Sequence, residues 1–152
     1  MLDRVGVDEA VRELRPDFAV LVLTAEGLAN GPSDHVSEGW LAEAAKAAGA
    51  AEKADAHEPH VEAWHDAYRA FGAKPKRTRP SVDALLRRGA ALPSINKVVD
   101  AYNAVSVEYA LPIGGEDFDA YQGAARLVRA TGDEPFDVIA DGAPAVDHPD
   151  PG

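Results

Sequence analysis

Apolar residues recur along this chain with two periods, one near 3.6 and one near 2, and the change from one to the other marks out its elements. The densest patterning lies in residues 93–142. There Val98, Tyr102, Val105 and Tyr109 follow one another at spacings of four, three and four, which predicts a helix with a single buried stripe. Ser94 or Asn96 stands where a cap belongs, and Pro112 stops the helix. After the Gly114-Gly115 pair come a strand pattern at 126–130, a turn at 131–135 and a second short strand at 136–140.

The same reading continues upstream. Residues 7–14 predict a short helix with Asp8 and Glu9 in its first turn. Residues 18–24 (FAVLVLT) form an unbroken apolar run of strand length, expected as a sheet strand covered on both faces. Ser33 or Asp34 is placed to cap a helix that buries Val36, Trp40, Leu41, Ala44 and Ala48 and ends near Gly49. Residues 50–59 then serve as a charged connector. A helix over 60–71 carries Val61, Trp64, Tyr68 and Phe71 on one stripe, with Gly72 as its C-terminal residue. Residues 73–79 are basic and broken by proline, so they predict an exposed loop. Pro80 opens a further helix with Val82, Leu85 and Leu86 inward and Arg87 and Arg88 near its end. Residues 143–152 are expected as a turn, a strand remnant and a tail.

Composition narrows the class. A chain of 152 residues without internal repeats is expected to be one domain, with an N-terminal part at 1–56, a core at 57–142 and a tail at 143–152. Its apolar fraction of 46 % is ordinary for a globular protein, its apolar runs are too short to span a bilayer, and no secretory leader is visible. With no cysteine, disulfides and thiolate metal sites are excluded, and a cytoplasmic location is expected.

Charge changes the picture more. The net charge of -11 argues against a protein that coats nucleic acid indiscriminately. Yet residues 69–97 hold eight basic side chains against the single acid Asp83, which makes that segment +7 and the remainder -18. A basic patch on an acidic body suits selective docking of one polyanion, since the acidic surfaces repel wrong orientations.

Three groups could carry chemistry. His57, His60 and His65, with Glu58 and Asp66, lie close in sequence, but spacings of three and five do not reproduce the i, i+4 pair of a helical zinc site. No metal and no cofactor is expected. Glu116, Asp117 and Asp119 offer carboxylates for acid and base work, or serve as turn formers beside the two glycines. Asn103 lies among apolar residues of the central helix, so its amide must bond to nearby backbone or meet a ligand. Phosphate loops, dinucleotide fingerprints and nucleophile elbows are absent from the sequence.

The run from Val98 to Gly142 resembles the editing domain of the β subunit of phenylalanyl-tRNA synthetase, the B3/B4 type. That family has V-V-D-x-x-N-x-V, then P-x-x-x-x-D-x-D, then a strand rich in Val and Arg. Val98, Val99, Asp100, Asn103, Val105, Pro112, Asp117, Asp119, Val128 and Arg129 hold those places. The stretch FGAKPKRTRPSVDALLRRG is similar to versions of the domain found outside any synthetase. The resemblance implies an α+β fold with helices packed on a mixed, sandwich-like sheet. It also implies hydrolysis of the ester joining a wrong amino acid to tRNA, performed in trans. The implied catalytic residues are Asn103, Gly114, Gly115, Glu116 and Asp117. Lys74, Lys76, Arg77, Arg79, Arg87 and Arg88 would bind the aminoacylated tRNA. Where the family has a histidine two places after its proline, this chain has Gly114, and its last residue precedes the further strands and the glutamate of the family's second half. The domain is therefore expected to be incomplete at its C-terminus. A non-catalytic RNA-binding module and an amino-acid-binding protein are the alternatives.

Overall fold

A fully buried carboxylate, that of Asp100, joins the two helices on which the larger part of the chain is built. The computed structural model describes residues 5–49, 51–74, 76–121 and 123–151. The chain divides into two compact units, one formed by residues 25–118 and the other by the segments on either side of it.

The larger unit is helical: α2 (His35–Ala48), α3 (Ala51–Ala70), α4 (Ser81–Leu86) and α5 (Lys97–Tyr109). Asp34 caps α2, its carboxylate accepting from the amides of Val36 and Ser37 while the Ser37 hydroxyl accepts from the Asp34 amide. Lys97 Nζ, 2.8 Å away, is the larger influence holding the Asp34 carboxyl down at about 2, with the Ser37 amide next. Asn96 caps α5 by accepting from the Val99 amide. Ala110, fully buried, ends α5 in the left-handed region at φ 53°.

Asp100 accepts from the Ser37 hydroxyl of α2 at 2.8 Å and from the Ile95 amide at 2.9 Å. Burial by itself would raise its carboxyl; Ser33, the Ile95 amide and Ser37 outweigh that and hold it below the usual range. The Ser33 hydroxyl is buried and has no hydrogen-bond partner among the described residues. The apolar core beside this tie consists of Leu41, Ala44, Ala104 and Val107, with Leu85, Leu86 and Leu92 against it.

The face of α5 turned inward is therefore its polar one, which overturns the stripe expected from periodicity. Asp100, Asn103, Ala104, Ser106 and Val107 are buried, whereas Val105 and Tyr109 are exposed and Val98 and Tyr102 half-buried. On α2, Leu41 and Ala44 are buried as expected, but Val36 and Trp40 are about half exposed. The expected connector over 50–59 is helical instead: α3 runs from Ala51 through Pro59 without ending, while Ala50 lies outside the described residues. Proline lacks the N–H that an interior turn needs, so a helix interrupted there was the natural expectation. Gly72, at φ 90°, closes α3; the Ala73 amide reaches back to the Tyr68 carbonyl and the Gly72 amide to that of Arg69.

The smaller unit holds the strands. β1 (Val5–Val7) precedes α1 (Glu9–Leu14) and pairs in parallel with β2 (Ala125–Leu127), Val5 opposite Ala125 and Val7 opposite Leu127. β3 (Phe136–Ala140) and β4 (Ala143–Asp147) form an antiparallel hairpin. Its turn residues Asp141 and Gly142 both have positive φ, 52° and 81°, the Asp-Gly turn whose twist matches that of the strands. What was expected as a strand remnant and tail thus contains a full partner strand. Glu134 closes the turn before β3, its carboxyl held down at about 2 first by the Thr131 amide. Residues 18–24 do not form the expected covered strand: they are irregular, and Leu21 and Leu23 are 83 % and 82 % exposed. An apolar run becomes a strand only against a partner edge, and among the described residues none pairs with it. Among the described residues the fold is α+β, with five α-helices and two small two-stranded sheets. No helix among the described residues is long and apolar enough to cross a membrane.

The phase of α5 is directly testable. Val107→Asp, at a position 2 % exposed, should unfold the protein or cost several kcal/mol, on the order of the penalty for an unpaired buried charge. Val105→Asp, at a position 44 % exposed, should change stability by no more than about 0.5–1 kcal/mol. Urea denaturation of both variants checks this, and the reverse order would mean that the periodic stripe faces inward after all.

Candidate functional site

The candidate residues after α5 are held by a local reversal. Beyond the left-handed Ala110, the Leu111 amide bonds to the Ser106 carbonyl and the Ser106 hydroxyl donates to the Leu111 carbonyl at 2.5 Å. The chain then runs back beside the helix. A Cβ placed on Gly115 would lie 3.1 Å from the Tyr102 ring, so glycine at this position is what lets the segment lie against α5. The contact brings Gly115 next to the neighbour of Asn103 in sequence. Gly114, by contrast, has nothing within 4 Å of where its Cβ would be.

Asn103 is 7 % exposed, and no hydrogen bond to its amide occurs among the described residues. Gly114, Gly115, Glu116 and Asp117 are all exposed. None of these five residues lines either of two cavities in the larger unit, one among its four helices and one between α2 and α5.

The basic residues divide into two sets. Lys74, Lys76, Arg77 and Arg88 are exposed and have no ion-pair partner among the described residues. Arg79 and Arg87 are instead engaged with Asp83, which is 4 % exposed: Arg87 Nε donates to Oδ1 at 2.6 Å, and Arg79 Nε lies 3.7 Å from Oδ2. Their spacing of four residues on either side of Asp83 is the sequence signal of that pairing. Asp83 also meets the ring of His65, whose Nε2 lies 3.1 Å from Oδ2 and whose Nδ1 lies 3.3 Å from Glu62. The lone acid of the basic segment thus joins α3 to α4.

One cavity, of about 430 Å³, lies among α2, α3, α4 and α5 and is lined in part by His57, Glu58, Glu62, His65, Asp83 and Arg87. His57 and His65 lie on one continuous helix, on a side shared with Val61. An interruption at Pro59 would have separated them, so sequence spacing alone gave no reason to join them. Among the described residues no group of three or more His, Asp or Glu side chains is arranged to hold a metal ion. The other cavity, about 520 Å³, is a groove between α2 and α5 bordered by the exposed Trp40 and Val105.

Comparison with known proteins bears on the segment that carries these features. No curated protein and no solved structure matches the chain. The family model described as the B3/4 domain matches residues 63–151, from the second half of α3 through the β4 hairpin and across both compact units. With more than half of its length matched, the chain belongs to the B3/4 domain family, the domain type of the β subunit of phenylalanyl-tRNA synthetase.

Proposed function

We propose that this chain is one B3/4 domain, acting outside a synthetase on aminoacylated tRNA, and that it hydrolyses the ester of a wrongly attached amino acid. The observation that carries the reading is the family match over 63–151, which takes in both the exposed basic loop and the turn after α5. In this reading the two short sheets belong to the larger mixed sheet of the family fold. Lys74, Lys76 and Arg77 neutralise tRNA phosphates, as exposed cations without a carboxylate partner among the described residues are free to do. Arg79 and Arg87 shape the patch from their positions on Asp83.

The chemistry asked of the protein is modest, because an aminoacyl ester is already activated. Water adds to the ester carbonyl carbon and gives a proton to a carboxylate of Glu116 or Asp117. The amides of Gly114 and Gly115 donate to the oxygen as it becomes negative, and Asn103 orients the amino acid. The bond to the ribose oxygen then breaks, and that oxygen takes up the proton. Positioning and oxyanion stabilisation account for the rate. The exposure of residues 114–117, outside both cavities, favours one alternative: an RNA-binding module without catalysis.

Incubation with a panel of tRNAs charged with wrong amino acids separates the two readings. Release of amino acid from at least one of them is expected. Asn103→Ala and Gly114→Val should each lower that rate by about a hundredfold while keeping the parental circular dichroism spectrum. Gly114 suits this test better than Gly115, where a side chain would displace Tyr102. RNA binding without hydrolysis of any charged tRNA would leave the non-catalytic module.

The docking surface has its own measurement. Replacing Lys74, Lys76 and Arg77 together should weaken tRNA binding and reduce the slope of log K against log salt by about two to three. An unchanged slope would move the RNA to another face.

A further inference from the structure

We propose that Asp83 is a specificity-determining residue: its buried carboxylate withholds Arg79 and Arg87 from polyanions, so that docking rests on the uncommitted cations of the basic segment. The inference deepens the reading of the basic loop as an RNA surface and rests on it. Arg79, Asp83 and Arg87 follow one another at intervals of four, which sets them on one ridge of α4 and its flanks. Arg87 Nε donates to Oδ1 of Asp83 at 2.6 Å, and Arg79 Nε lies 3.7 Å from Oδ2, the oxygen that also faces His65 Nε2. Neither arginine has another side-chain partner among the described residues. Both reach to Asp83, although their side chains are 43 % and 61 % exposed and have water beside them.

Burial decides which anion keeps the two arginines. Asp83 is 4 % exposed, so water screens its charge poorly and cannot replace a donor that leaves. A phosphate at the surface is already solvated, and taking a guanidinium over from Asp83 would leave a buried carboxylate short of donors. The exchange is therefore unfavourable. Charge points the same way, because Arg79, Asp83 and Arg87 together carry one net positive charge where the arginines alone would carry two. Arg69 is likewise held by Glu62 and Asp66, and Lys97 by Asp34. Of the eight cations in residues 69–97, Lys74, Lys76, Arg77 and Arg88 are those without a carboxylate partner among the described residues. A polyanion must match the placement of these few charges, whereas eight uncommitted cations would hold polyanions of any shape.

Asp83→Asn keeps the shape of the side chain and removes its charge. The measurement is the salt dependence of binding of tRNA and of heparin, a polyanion without bases, to the parent and to this variant. The variant should bind both at least about threefold more tightly, with a slope of log K against log salt steeper by about one to two. Its preference for tRNA over heparin should fall. Adding Arg79→Gln and Arg87→Gln to Asp83→Asn should return the slope to the parental value. A merely structural role predicts the opposite sign, since a damaged basic loop binds more weakly. If Asp83→Asn does not fold, the arginine Nε–H resonances of the parent decide: those of Arg79 and Arg87 should stay in place when tRNA is added, and their movement would overturn the proposal. Equal or weaker binding by folded Asp83→Asn, an unchanged preference, or a steeper slope that survives the loss of both arginines would overturn it as well. A parent that binds heparin but not tRNA would defeat the RNA reading, while the heparin measurements would still decide the role of Asp83.

Discussion

The buried carboxylate of Asp100 is the constraint from which most of the helical unit follows. An ionised group without solvent contact is tolerable only if its lone pairs are met, and here a hydroxyl from α2 and an amide from the segment before α5 meet them. Those partners fix the rotation of α5. Once Asp100 points inward, Asn103, Ser106 and Val107 follow it by helical periodicity, and Val105 and Tyr109 are carried to the outside. The apolar core is small, with alanine at two of its four buried positions, and polar bonds rather than a broad hydrophobic stripe decide the rotation of α5.

That inversion explains what could be read from the sequence and what could not. Caps and stops are local chemistry, so Asp34, Asn96 and Gly72 could be placed from single residues and their neighbours. The phase of α5 could not, because the preference for its polar face depends on Ser37, distant by 63 residues. Residues 18–24 carry every local mark of a strand, yet pairing is a property of two segments, and the second is not written in the run itself. Pro59 hid the continuity of α3 and with it the approach of His57 and His65 to one cavity. The basic loop was legible because charge is counted rather than folded. The pairing of Arg79 and Arg87 with Asp83 is also written in their spacing of four residues on either side of it.

Family membership and geometry divide the molecule in a consistent way. The matched segment contains the exposed loop of lysines and arginines, the helix anchored by Asp100 and the turn that folds back to place Gly115 against Tyr102. The hydrogen bond from the Ser106 hydroxyl to the Leu111 carbonyl pins that turn to the end of the helix, and under the proposed function its backbone amides would face the ester.

The central claim is that charged tRNA docks on the basic loop and presents its ester to the turn after α5. Amide hydrogen exchange with and without a tRNA acceptor stem bearing an amide-linked, non-hydrolysable amino acid tests it most directly. The account predicts slowed exchange in two segments, residues 73–79 and residues 111–117, with the helical core unchanged. Protection confined to other segments, or a basic loop whose exchange is the same with and without the RNA, would contradict it.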